Sequence, residues 1–147
     1  MIGITNLLTT SFNKGFLKKI AEFVLEKENQ EGADLSIVLV DKKKMRELNR
    51  EYRKEDKVTN VLSFSYEKGK PFVFPLKNLV KLGEVVLCLE YIKQDAKKQG
   101  VDFQEELTRV SIHGILHTLG YNHETERDFE KMNSLQEQYL RLYFNKQ

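Results

Sequence analysis

The sequence holds very little cysteine, proline or unbalanced charge. Cys88 is the only cysteine in 147 residues. No intramolecular disulfide and no multi-thiolate zinc site can therefore form, which excludes the disulfide frameworks of small secreted domains. Pro71 and Pro75 are the only prolines. They bracket one predicted loop, and no proline-rich linker divides the chain. No apolar run reaches the roughly 18 residues of a transmembrane helix. The first residues, MIGITNLLTTSFNKGF, lack the basic start, continuous apolar stretch and small-residue cleavage site of a signal peptide, so a cytoplasmic location and no membrane partner are expected. Lysine plus arginine number 24 against 22 acidic residues, a formal net charge of +2. That balance excludes a histone-like polycation and leaves nucleic-acid binding to charges sorted onto separate faces.

What is present describes an ordinary globular chain. Hydrophobic residues make up 40% and charged residues 31%, too apolar for disorder. The length predicts one domain over residues 1–147, able to bury about two thirds of its unfolded surface.

Helical spacing of Phe12, Phe16, Ile20, Phe23 and Val24 predicts a helix over 11–29 with Ser11 as N-cap. Residues 35–40 (LSIVLV) read as a strand. Asp41 then caps a helix carrying Met45, Leu48 and Tyr52 on one side. Residues 61–66 (VLSFSY) read as a second strand, with Val61, Ser63 and Ser65 on one face and Leu62, Phe64 and Tyr66 on the other. Residues 67–81 read as a hairpin or loop, and 85–89 (VVLCL) as a buried third strand. A short helix runs to Gly100. Asp102 and Glu105 are spaced as a capping box. The helix they open is apolar around most of its circumference from Val110 to Leu119, which predicts a central position. An amphipathic helix over about 128–143 closes the chain, with Asp128 as a candidate start. Such a mixture, without regular βαβ alternation, predicts an α+β fold.

All three histidines of the chain fall within one stretch, His113-Gly-Ile-Leu-His117-Thr-Leu-Gly120-Tyr-Asn-His123. His113 and His117 are i and i+4, so their imidazoles share one helix face. Gly120 tolerates positive φ and can stop the helix sharply, allowing His123 to return as a third ligand. Three neutral imidazoles leave a coordination position open, the mark of a catalytic zinc site. A histidine pair alone is more often packing or surface. Three of three, on an otherwise apolar helix, reverses that balance, since the buried imidazoles need a compensating partner. The spacing matches the metzincin proteases, but their general-base glutamate is replaced by Gly114, which demotes peptide hydrolysis.

The stretch HGILHTLGYNH resembles the H-G-x-L-H-x-x-G-Y-D-H signature of the YbeY-type endoribonucleases, bacterial rRNA maturation factors. Three further segments are similar to blocks of that family: Asn49 and Arg53 followed by Thr59-Asn-Val-Leu-Ser-Phe64, then Leu82-Gly-Glu-Val-Val-Leu-Cys88, then Met132. Together they cover about residues 45–135. Asn60, Glu84 and Asn122 stand where the family has aspartates, and the two amides can serve neither as bases nor as charged partners of a ligand. The resemblance implies a single-strand-specific, metal-dependent endoribonuclease of 16S rRNA 3′-end maturation and ribosome quality control. It also implies a small mixed sheet of about four strands, with a central helix presenting one Zn2+ per chain to His113, His117 and His123. Single-stranded RNA, rRNA and ribosomal small-subunit proteins are the expected partners, and DNA is not.

Arg53 matches the functional arginine of the family, and a fixed guanidinium can pair bidentately with phosphate. On composition alone it is one helix-end arginine among many. Arg53 and His113 are the expected catalytic residues, and Arg53, Arg50 and Lys57 the expected RNA contacts. They draw on residues 42–57, where eight basic side chains face four acidic ones in a chain of net charge +2. The same segment also reads as a solvated helix face laced with ion pairs. Cys88 is expected in the core, Ser63 and Thr59 in buried structural roles, and Glu106, Glu124, Glu126 and Asp128 on the surface or at caps. A zinc hydrolase of a peptide or amide, and a ribosome-associated protein with a structural metal, remain the alternatives.

Overall fold

The computed structural model describes residues 1–65 and 83–146. Its elements run β1 (Ile2–Asn6), α1 (Lys14–Lys27), β2 (Leu35–Leu39), α2 (Lys42–Arg53), β3 (Val61–Ser65), β4 (Gly83–Leu87), α3 (Leu89–Gln99), α4 (Phe103–Thr118) and α5 (Glu126–Lys146). The predicted α+β class holds. One four-stranded sheet has the order β1-β2-β4-β3. β1, β2 and β4 are parallel, and β3 runs antiparallel to β4 with Val61 opposite Leu87 and Ser65 opposite Gly83. The two inner strands, β2 and β4, are buried along their whole length, as expected for strands covered on both faces.

Alternation along those strands builds two apolar layers. Ile37, Leu39, Val85 and Leu87 face the larger one, filled by Leu17, Ile20 and Val24 of α1, Ile92 of α3, Ile112 and Ile115 of α4, and Tyr139 of α5. Val38, Val40, Val86 and Cys88 face the opposite way and meet Met45 and Leu48 of α2. Cys88 is fully buried, and burial pushes its thiol pKa up, so it is a core residue and not a nucleophile. α4 packs against α1, α3, α5, β3 and β4, the central position that its all-round apolarity predicts.

The caps explain most boundaries and correct several. Asp41 accepts from the Lys44 amide at 2.8 Å, and Asp102 from those of Gln104 and Glu105 at 3.1 and 3.3 Å. Gly100 adopts φ +70° after α3, and Gly120 φ +103° after α4. Ser11 does not cap α1: the helix begins at Lys14 after Asn13, whose side chain makes no capping bond. Asp128 does not start α5: its amide donates to Thr125 Oγ1 at 3.1 Å, and the helix opens two residues earlier than predicted, at Glu126. The third predicted strand lies two residues too late. β1, unpredicted, supplies the fourth strand. Tyr66 and the hairpin or loop predicted over 67–81 lie outside the described residues.

Candidate metal centre

The C-terminal turns of α4 reach the centre by a close approach to the sheet. A Cβ on Gly114 would lie 2.7 Å from Val85 Cγ1 and 3.0 Å from Val61 Cγ2. Glycine therefore lets α4 settle directly on β3 and β4, and Ser63 Oγ fastens the contact by donating to the Gly114 carbonyl at 2.9 Å. Residue 114 is thereby closed against the sheet, with no room for a side chain. Position 114 thus cannot present a general base where a metzincin has its glutamate.

Gly120 then reverses the chain, and Asn122 Oδ1 accepts from the Glu124 amide at 3.1 Å to hold the returning turn. Asn122 is thereby a structural residue. The result gathers the three predicted ligands. One ring nitrogen from each of His113, His117 and His123 lies within 4.8 Å of the others, with His123 the exposed member. Two ligands at about 2.1 Å from one ion sit at most about 4.2 Å apart, so small side-chain rotations, easiest at the exposed His123, bring all three onto one ion. Burial, reinforced by the neighbouring imidazoles and by Arg53, pulls His117 down to about 4. Burial also lowers His113, against an opposing hydrogen bond to Gln136 Oε1. Both rings are thus neutral near pH 7 and carry the lone pair that a metal requires. This donor set fits a borderline metal such as zinc.

Arg53, at the end of α2, extends over the edge strand β3. Its Nη2 donates to the Ser63 carbonyl at 2.7 Å, and its guanidinium carbon lies 5.2 Å from the Phe64 ring centroid. Phe64 in turn meets Tyr52 edge-on at 5.3 Å. Ser63, which accepts from Arg53, also fastens β3 to Gly114 one turn before His117, and the Arg53 charge adds a small contribution to the lowered pKa of His117. Arg50 and Lys57 are exposed and engaged in ion pairs, Arg50 with Asp56 at 3.6 Å and Lys57 with Glu55 at 3.6 Å. Asp56 also holds Arg46 at 2.8 Å. Arg46, Arg50 and Lys57 thus pair with Asp56 and Glu55, beyond the end of the helix. Asn49 is buried and donates to the Lys57 carbonyl at 2.9 Å, bracing the chain that leaves α2.

α5 supplies residues that sequence reasoning missed. Gln136 is 7% exposed, with its Oε1 2.7 Å from His113 Nδ1. Gln136, Met132, Phe129 and Asn133 line a cleft of about 180 Å³ beside His113 and His123. Glu106 is also buried, at 6% exposure, and pairs with Arg109 at 2.6 Å. This corrects its expected place on the surface, because an adjacent guanidinium compensates its burial. The available signals were spacing alone: Glu106, Arg109, His113 and His117 step along one side of α4, and Gln136 follows the buried Met132 by four residues.

Comparisons with known proteins agree with this geometry. A family model described as Endoribonuclease YbeY matches residues 5–143. The chain is 41% identical over 140 residues to the Endoribonuclease YbeY of Persephonella marina, covering 92% of this chain and 89% of that protein. It is 38% identical over 128 residues to that of Staphylococcus saprophyticus, covering 86% of this chain and 84% of that one. A solution structure from Thermotoga maritima superposes with a TM-score of 0.60 at 27% identity, covering 99% of this chain and 93% of that one.

Proposed function

The chain belongs to the YbeY endoribonuclease family, which the matches over most of its length establish, and on that premise we propose that it is a zinc-dependent, single-strand-specific endoribonuclease of 16S rRNA 3′-end maturation and ribosome quality control. The observation that carries the reading is the convergence of three histidine nitrogens within 4.8 Å of one another, with the Arg53 charge reaching one of them, His117. The relatives support neither a peptidase nor a purely structural metal, and Gly114 facing the sheet counts against the first.

His113, His117 and His123 would hold the metal. The chemistry that bound zinc supplies is Lewis-acid polarisation of the phosphodiester and activation of water near neutral pH. The protein's own groups do the remaining work. The two half-buried imidazoles, with lowered pKa values, stay unprotonated, so protons do not compete for their lone pairs at pH 7. Arg53 spends one N–H on the Ser63 carbonyl and rests on Phe64, which fixes the plane of the guanidinium. Its other N–H groups are available to neutralise the non-bridging phosphate oxygens as charge develops. Arg50 on α2 and Lys57 just beyond its end contact the RNA backbone, exchanging their weak surface ion pairs for phosphate. Cytoplasmic rRNA in the small ribosomal subunit is the proposed substrate.

The test compares purified wild type, His117→Ala and Arg53→Ala on single-stranded RNA, with metal content measured. Wild type cleaves and carries zinc. His117→Ala loses both. Arg53→Ala keeps zinc and loses most turnover, by about 10²–10³-fold as for removal of one transition-state donor. Full cleavage by His117→Ala would sink the metal reading. Equal turnover of a DNA version of the substrate would rule out an obligatory 2′-hydroxyl nucleophile.

A further inference from the structure

A hydrogen-bonded line runs from buried charge on α4 to the first histidine ligand. Glu106 accepts from Arg109 Nη1 at 2.6 Å. Arg109 Nε donates to Glu137 at 3.0 and 3.3 Å. Glu137 Oε2 accepts from Gln136 Nε2 at 3.2 Å. Gln136 Oε1 then lies 2.7 Å from His113 Nδ1. Each link has only one workable polarity. A carboxylate paired with a guanidinium accepts and does not donate, so Gln136 must turn its NH2 to Glu137. Its carbonyl oxygen is then left for the imidazole. That oxygen also only accepts, so His113 Nδ1 must carry the proton and the lone pair of the neutral ring must sit on Nε2.

We propose that Gln136, oriented by Glu137, Arg109 and Glu106, is a positioning residue that fixes His113 as its Nδ1–H tautomer and directs Nε2 to the common centre of the three histidines. Gln136 and Glu106 are 7% and 6% exposed, so water competes little for either end of the line. Free imidazole side chains favour the opposite tautomer, so removal of the acceptor has a definite direction. The inference rests on the metal reading proposed above, but its main signature belongs to the metal-free protein. Metal-binding histidines commonly have their second ring nitrogen held in this way, and loss of the holding group costs about 10–100-fold in metal affinity.

The experiment compares wild type, Gln136→Leu and the exchanged pair Gln136→Glu/Glu137→Gln, each checked for folding by circular dichroism. Nitrogen NMR of the metal-free imidazoles near pH 7 reads the tautomer, and competition with a chromophoric chelator reads zinc affinity. The wild type is expected to show Nδ1–H at His113. Gln136→Leu shifts His113 towards Nε2–H and weakens zinc binding by about 10–100-fold. The exchanged pair Gln136→Glu/Glu137→Gln keeps an acceptor for His113 and a donor from residue 137, and restores both. An unchanged tautomer and affinity in Gln136→Leu would overturn the proposal, as would an exchanged pair no better than Gln136→Leu. A wild type that binds no zinc would refute the metal reading instead, while the tautomer signals would still decide the role of Gln136.

Discussion

At the scale of the residue, Gly114 shows how one missing side chain serves both packing and chemistry. A methyl group there would press on Val85 and Val61, which are short, stiff and held in the sheet. Overpacking of this kind costs about 1–3 kcal/mol, and alanine's better helix propensity offsets up to about 1 kcal/mol. The cost wins. Gly114→Ala is expected to lower Tm by about 2–8 °C, given about 2–4 °C per kcal/mol at this size. A thermal melt checks it, and an unchanged or higher Tm would refute the close-packing account. Gly114→Glu is expected to unfold the site without gaining peptidase activity, since position 114 faces β3 and β4. The histidines were legible in the sequence because their spacing is local and encodes one helix face. Gln136 was not, because its partner His113 lies 23 positions earlier on another helix. No periodicity along α5 distinguishes a side chain aimed at a ligand from one aimed at the core.

At the scale of the element, Glu28 at the end of α1 joins parts of the chain that are distant in sequence. Its carboxylate accepts from Tyr121 Oη at 2.7 Å and from the Tyr139 hydroxyl. It thereby ties α1 to the turn before His123 and to α5. Burial first, and then the Glu28 charge, raise Tyr121 to about 12 and push Tyr139 higher still. Both phenols ordinarily titrate near 10. A raised folded-state value favours the protonated phenol, so the stabilisation is complete below about pH 10 and is lost as pH rises through 12. Glu28→Gln keeps an acceptor but removes the charge. Phenolate absorbance should then rise at lower pH, with only part of the shift abolished because burial remains, and the alkaline unfolding midpoint should fall. Identical alkaline titrations of the two proteins would contradict this coupling. The elements themselves were largely readable where capping chemistry was explicit, at Asp41, Gly100, Asp102 and Gly120. β1 was not, because its five residues, IGITN, are half-buried throughout and too short for their alternation to stand out. Its identity as a strand comes from pairing with β2, a contact across about 33 positions of sequence.

At the scale of the whole molecule, a net charge of +2 conceals an α2 face whose basic groups are partly held by Asp56 and Glu55. Exposed pairs of this kind contribute only about 0–1 kcal/mol, so RNA phosphates can replace the carboxylates. If Arg50, Arg53 and Lys57 each neutralise one phosphate, the slope of log affinity against log salt is about −2, at about −0.7 per phosphate for a single strand. Asp56→Asn releases Arg46 and Arg50 together and should steepen that slope and tighten binding at low salt, as measured by anisotropy with labelled single-stranded RNA. A shallower slope would place the RNA on another face. A metal on the three histidines would make a separate contribution to the same molecule. His113 and His117 belong to α4, His123 to the turn beyond it, and Gln136 holds His113 from α5, so one ion would join the central helix to its C-terminal neighbours. A ligand that binds only the folded chain stabilises it by about 2.7 kcal/mol at a hundredfold excess over Kd, or about 5–11 °C in Tm at this size. Zinc titrated into chelator-stripped protein should raise Tm progressively by that amount. His117→Ala should abolish the dependence while leaving the metal-free protein folded, because a half-buried side chain at the end of α4 contributes little to the core. A wild-type Tm independent of zinc concentration would show that the three histidines do not hold the ion in the folded state.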